Sequence, residues 1–393
     1  VGLAYQINPK TTLRSGFGVF YTPETAKRDD VRHNPPFYRQ AVLYDAWKFS
    51  DPAPPSLPKP GPYPEGYDVK TIDKNLKTGY SLQYSLAVQR ELPGGVLFEA
   101  AYVGSQGHRL PFLVNVNQAR PDGTPAPFPG IGQVQDVRAI GDSTYHSGQF
   151  KLEKRFSQGL FLLASYTWSK SLDTVSSAMF DSSVSGGVQN IFDVKQNRGP
   201  SDWDVPHRFS LSYVYDLPYG KRGSGGGALK ALFGDWQVSG LFVARSGMPG
   251  TVTVGNPIPG GDARPNLLHD PNLPASERTV DHWFDTTAFV ANRTADGKTL
   301  LAGDAGRNII RGPAYYNLDM GLIKFVPVKN DVRLQLRVEA FNLTNTPHFA
   351  MPVLRMNDPA FGKITHTRNS TNFGSTATSF ANRMIQLALK LEF

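Results

Sequence analysis

The feature that most constrains this chain is a rhythm: segments alternating apolar and polar residues are joined by short and long connections in strict turn. The C-terminal segment shows the alternation most plainly. Ile385, Leu387, Leu389, Leu391 and Phe393 fall on one side, and Met384, Gln386, Ala388, Lys390 and Glu392 on the other. A strand with one apolar and one wet face produces this period of two. Val332, Leu334, Leu336, Val338 and Ala340 repeat it against Arg333, Gln335, Arg337 and Glu339. Tyr80, Leu82, Tyr84, Leu86 and Val88, and again Phe209, Leu211, Tyr213, Tyr215 and Leu217, do the same against serines, glutamines and charges. Eleven strands are predicted, at 1–7, 11–21, 79–90, 94–104, 144–156, 160–171, 206–217, 235–246, 313–325, 331–343 and 382–393. Most exceed the usual five or six residues of globular strands and suit a tilted bilayer crossing of about 9–11.

Between them, tight links sit at Asn8-Pro9-Lys10, Glu91-Leu92-Pro93, Ser157-Gln158 and Val326 to Asn330, with a glycine-rich turn over 218–234. Long segments occupy 22–78, 105–143, 172–205, 247–312 and 344–381. Such loops would count against a compact soluble domain. In an outer-membrane barrel they are expected, because periplasmic turns are short and extracellular loops long. The fold class expected is therefore all-β: an antiparallel up-and-down transmembrane barrel in the cell outer membrane. A soluble β-sandwich also alternates, but it leaves the long-short order and the terminal aromatic unexplained.

Eleven is odd, whereas bacterial single-chain barrels carry an even strand number. An unpaired strand edge in lipid leaves backbone groups unsatisfied at several kcal/mol each. The chain opens at Val1 inside a strand, so it is expected to be the C-terminal portion of a longer protein. Other classes are excluded by what is missing. There are no cysteines, hence no disulfide scaffold and no thiolate chemistry. Gly223 to Gly227 lacks the Lys-Ser/Thr of a phosphate loop. The net charge of +8 is dispersed rather than gathered in a patch, which argues against nucleic acid. No cofactor, metal site or enzymatic activity is expected.

Several motifs carry a family resemblance. They include Gly79-Tyr80-Ser81-Leu82-Gln83-Tyr84-Ser85-Leu86, Ala101-Tyr102-Val103-Gly104-Ser105-Gln106-Gly107-His108 and Ser165-Tyr166-Thr167-Trp168-Ser169-Lys170-Ser171. Asp204-Val205-Pro206-His207-Arg208, Arg307-Asn308-Ile309-Ile310-Arg311-Gly312-Pro313 and Glu339-Ala340-Phe341-Asn342-Leu343-Thr344-Asn345 complete the set. Together these resemble the Oar-like TonB-dependent outer-membrane receptors, abundant in acidobacteria, which often carry an N-terminal carboxypeptidase-regulatory-like domain. The resemblance implies a plugged barrel of about 22 strands, with this chain as its C-terminal half, that imports a scarce, bulky nutrient, small or oligomeric. Its signal peptide, plug and TonB box would precede Val1, so the TonB complex would be engaged through those parts. A passive pore or surface adhesin on the same scaffold is the alternative.

The alternation assigns residues to faces. Arg333, Gln335, Arg337, Glu339, Asn317, Asp319, Lys151, Glu153 and Lys390 are expected in the lumen, holding a plug, lining a solute path or pairing in a hydrated wall. Tyr80, Tyr84, Tyr102, Tyr166, Trp168, Tyr213, Tyr215, Trp236 and Phe325 are expected in the aromatic girdles facing lipid headgroups. Phe393 resembles the terminal signal read by the barrel-assembly machinery. Asp202-Trp203-Asp204-Val205-Pro206-His207 is read as a loop-to-strand junction in which Pro206 opens the strand without losing a needed N–H. A hydrolase using Asp204 and His207 is the remote alternative.

Overall fold

The computed structural model describes residues 1–21, 67–120, 124–176, 188–218, 233–255, 257–258, 261–295, 297, 300–329, 332–367 and 382–392. Eleven antiparallel strands follow one another in a single sheet, each bonded to its neighbours in sequence. They are β1 (Gly2–Asn8), β2 (Thr11–Tyr21), β3 (Tyr80–Leu92), β4 (Val96–Asn115), β5 (Ile131–Ser157) and β6 (Leu160–Asp173). β7 (His207–Asp216), β8 (Trp236–Arg245), β9 (Tyr315–Lys329), β10 (Val332–Phe341) and β11 (Met384–Glu392) complete the wall. The sheet does not close: β1 and β11 are its two edges. This is the expected all-β, up-and-down architecture of a partial outer-membrane barrel.

Tight turns follow from local chemistry. Between β5 and β6, Ser157 pairs with Leu160 across Gln158 and Gly159, at φ 53° and 78°. Positive φ at both central residues matches the twist of the flanking strands, and glycine accepts it without strain. Because neighbouring strands are antiparallel and consecutive, every second connection falls at the same end. The short joins therefore gather at one end and the long ones at the other.

The wall is inverted relative to a soluble sheet. On β10, Gln335 is 8% exposed while the next residue, Leu336, is 39% exposed. Leu387 and Leu389, opposite Val338 and Leu336, are 75% and 69% exposed. Burying an apolar face is the usual driving force of folding. A continuous sheet that instead presents Leu3, Phe17, Leu86, Leu336 and Leu387 outward has its solvent in hydrocarbon. Two glycines on the outward face are covered by a directly opposed tyrosine, Gly104 by Tyr84 and Gly240 by Tyr213. The ring fills the space that a glycine leaves in a strand, a known device for protecting such positions.

Three differences from the sequence reading concern strand ends. The segment 105–143 is only partly a loop. β4 and β5 run on as a paired arm to Asn115 opposite Gln135, after irregular pairing between Gly107 and Pro111. Arg109, at φ 53°, marks the break in alternation that hid the continuation. A further strand, Tyr67–Ile72, lies parallel to β5 within the expected loop 22–78. Third, β9 continues through Val326 to Lys329 where a turn was predicted, with a register shift between Pro327 and Lys329.

The long connections build conventional cores. Val252, Phe284, Ala288, Phe289, Ala305 and Ile310 are buried together, with Leu354, Met356 and Phe361 packed against them. Phe284 meets Phe289 and Phe361 edge-on at 5.9 and 5.4 Å, a favourable arrangement of aromatic quadrupoles. Backbone bonds between Thr253 and both Leu354 and Met356, and from Trp283 N to Gly362 O, tie the segments on either side of β9–β10 into one body. A second cluster, Phe112, Val114 and Val188, joins the arm to the segment after β6. At the end where the long joins meet, the wall thus carries a folded cap.

Candidate functional site

The register settles which residues share a face. Residues paired across an antiparallel ladder point the same way, and the pairs can be followed across the sheet. Lys151 opposes Ser165, Ser165 opposes Ser210, Ser210 opposes Val243, and Val243 opposes Asn317. Glu153, Asp319, Glu339, Arg337, Gln335, Arg333 and Lys390 lie on that same side. Charges there pair. Arg333 Nε donates to Glu392 Oε2 at 2.6 Å, and Lys390 Nζ to the other oxygen at 3.0 Å. Arg337 pairs with Glu339 at 2.6 Å and Lys151 with Glu153 at 2.8 Å. Asp319 accepts from the Asn342 backbone N–H at 2.8 Å. With both signs interspersed and locally neutralised, this face presents a polar wall rather than a strong field for one ion type.

Tyr80, Tyr84, Tyr102, Tyr166, Trp168, Tyr213, Tyr215 and Trp236 all occupy the opposite side. They separate by height. Tyr213, Tyr215 and Trp236 lie at the short-turn end of β7 and β8, where Lys324 Nζ reaches the Gly234 carbonyl and stands 5.4 Å from the Trp236 ring. Toward the long-loop end, tyrosines meet histidines of neighbouring strands. Tyr102 Oη and His146 Nδ1 are 2.6 Å apart, and Tyr166 Oη and His207 Nδ1 are 2.8 Å apart. Phe325 departs from the outward set: it opposes Gln335 on the polar side, with the Arg333 guanidinium 4.8 Å above its ring. The alternation of β9 carries Lys324 outward instead, and the lysine stem reaches back toward polar backbone. Phe393 lies outside the described residues.

The densest polar constellation sits in the cap, where two motifs of the sequence meet. Asp202-Trp203-Asp204 and Arg307-Asn308-Ile309-Ile310-Arg311 form the two halves of one clasp. Arg307 donates to Asp173, to Ser176 at 2.8 Å and to Asp202 at 3.4 Å. Asn308 Nδ2 donates to Asp202 at 2.6 Å and to the Pro200 carbonyl at 2.7 Å. Arg311 holds the carboxylate and backbone carbonyl of Asp204. Lys170, on β6, approaches Asp204 at 3.6 Å. Asp173, Asp204 and Arg307 are almost fully buried, so each charge depends on its partners in a medium of low dielectric. The clasp locks the segment after β6 to the segment after β8 and anchors both on the wall.

Asp204 and His207 do not meet as a catalytic pair: the aspartate is held by Arg311 and Ser171, and the histidine by Tyr166 on the outward side. Sequence reasoning missed Asp173 and Arg307 as partners because 134 residues separate them. The available signal was the resemblance itself, whose motifs held Asp204, read as part of a loop-to-strand junction, and Arg307 and Arg311, but not Asp173.

A family model described as "Outer membrane beta barrel domain" matches residues 1–386. No curated protein matches. Among solved structures, the chain is similar to the outer membrane transporter YddB from Escherichia coli, at 11% identity over 97% of this chain and 38% of that one, TM-score 0.48. It is similar at 11% identity to the pyoverdine receptor FpvA from Pseudomonas aeruginosa, over 100% of this chain and 35% of that one, TM-score 0.47. It is also similar at 11% identity to the ferric-catecholate import receptor Fiu from E. coli, over 99% and 34%, TM-score 0.44. The chain spans about a third of the length of these receptors.

Proposed function

Because the chain belongs to the outer membrane β-barrel family and lies in the outer membrane, we propose that it is the wall and loop cap of a TonB-dependent receptor of the Oar-like type. In this reading the barrel is completed by further strands of the same polypeptide. Its plug, its TonB-contacting segment and a carboxypeptidase-regulatory-like domain lie upstream. The protein imports a scarce, bulky nutrient and catalyses no reaction.

The observation that carries the reading is the clasped cap. A passive pore needs only a wall, whereas capture of a dilute solute needs a surface held in shape before the solute arrives, since ordering it afterwards costs affinity. The Arg307–Asp173 and Arg311–Asp204 pairs supply that order at the end of the wall where the long joins meet. Arg333, Gln335, Arg337, Glu339, Asn317, Asp319, Lys151, Glu153 and Lys390 would then line the lumen as a wetted surface for the plug. The outward aromatics would mark the two headgroup levels. Phe393 would serve the barrel-assembly machinery.

The test is uptake. Deleting the gene is expected to abolish accumulation of the nutrient, and deleting TonB in the parent strain is expected to do the same. Uptake that is lost with the gene but unaffected by loss of TonB would identify a passive pore.

A further inference from the structure

Near the clasp lies a second buried arginine, Arg264, that no carboxylate among the described residues answers. Arg264 is 4% exposed, and its Nε and Nη1 have no hydrogen-bond partner. Its remaining nitrogen, Nη2, donates to the Gln196 carbonyl at 3.3 Å. Among the described residues no aspartate or glutamate pairs with it, whereas Arg307 nearby is fully engaged with Asp173 and Asp202. The backbone around Arg264 is fixed: its N–H donates to Gln189 Oε1 at 3.1 Å, its carbonyl accepts from Gly303 N at 2.9 Å, and Gln189 Nε2 donates to the Gly303 carbonyl at 2.8 Å. On the other flank of the same 189–191 stretch, Gln118 accepts from Ile191 N at 3.2 Å and leaves its own buried Nε2 without a partner.

An unpaired charge in a protein interior is strongly unfavourable, and ordinary groups escape by losing their proton. Arginine cannot do so here. Burial, and then the neighbouring Arg307, lower its pKa only to about 10, so the guanidinium stays charged at neutral pH. Buried donors without partners call for an ion or a water. Water would satisfy the hydrogen bonds but not the charge.

We propose that Arg264 forms the floor of a buried site for one small inorganic anion of about chloride size, which supplies the counter-charge the cap lacks. The anion would accept from Nε and Nη1 and sit beside the Gln196 carbonyl–Nη2 bond rather than replace it. Its occupancy would fasten the 261–267 segment to the 188–197 segment near the clasp. This role belongs to the cap alone and does not depend on what the barrel transports.

Hydrogen exchange on the whole protein in detergent micelles tests the site, read at the amides of Arg264, Gly303 and Ala305. Chloride is titrated against gluconate, an anion too bulky to enter, at constant ionic strength. Chloride at about nine times its dissociation constant is expected to slow exchange about tenfold, with saturation, as for any ligand bound by the closed form only. Arg264→Met is expected to abolish the chloride response and, in gluconate, to exchange no faster than the parent, because it removes an uncompensated charge. Arg264→Gln, which keeps polar atoms in place, is expected to behave likewise and serves should the methionine variant not fold. The proposal is overturned if the parent shows no saturable chloride response, if gluconate protects equally, or if the variants respond as the parent does.

Discussion

The wall and the cap obey opposite burial rules within one chain. In the wall, Leu336, Leu387 and Leu389 stand exposed while Gln335 is covered; in the cap, Val252, Phe284 and Ile310 are buried as in any soluble protein. The difference teaches that hydrophobic patterning reports the local solvent rather than a universal inside. The wall's apolar face is matched to lipid and needs no partner layer, whereas the cap lies in water and must enclose its own core. Charges follow the same division. On the wall they form partly exposed pairs such as Arg333–Glu392; in the cap the Arg307–Asp173 pair is buried and joined to backbone.

That contrast is most sharply broken by removing one half of the clasp. Asp173→Ala leaves Arg307 buried without its main partner, and should cost about 3–5 kcal/mol. The loss should be confined to the cap, seen as rapid proteolysis after residue 173 with unchanged far-UV circular dichroism from the wall. A double replacement of Asp173 and Arg307 by apolar residues should cost much less than the two single changes together.

A smaller effect separates the two faces of a single strand. Leu387→Arg near mid-membrane should destabilise insertion by about 2–4 kcal/mol. Gln386→Arg, one residue away on the polar side, should stay within about 0.5 kcal/mol. Equilibrium folding into lipid vesicles measures both. Equal costs at 386 and 387 would mean that the outward face does not meet hydrocarbon.

Glu392→Gln should have a smaller effect again, since Arg333 and Lys390 remain partly wetted after losing it. The same titration in vesicles would detect it, and high salt should shrink the difference.

The smallest effect is a pH response in the cap. Asp285 is held at about 2 by hydrogen bonds, first from the Thr287 hydroxyl, then from His269 and the Thr287 backbone. A carboxylate depressed below its ordinary value of about 3.9 stabilises the fold in full above that value. The contribution then fades as pH falls toward 2. Fluorescence of Trp283 should report this loosening between about pH 4 and 2, and Asp285→Asn should flatten the response.

Where a strand's two faces meet different solvents, the pattern is written residue by residue, and the sequence alone was enough. It determined eleven strands, their consecutive pairing, and the common side shared by Lys151 and Lys390, far apart in the chain. The reason is that a period of two is local and a one-residue slip would turn every side chain to the wrong solvent. The arm formed by β4 and β5 beyond Gly107 was illegible because Arg109 and the irregular pairing interrupt that period. The clasp was illegible for a different reason. Asp173, Asp202 and Asp204 find Arg307 and Arg311 more than 100 residues away, and no spacing rule in a linear sequence marks such a meeting. Only the tertiary structure decided it, by bringing the long connections to one end of the sheet where buried charges had to find each other.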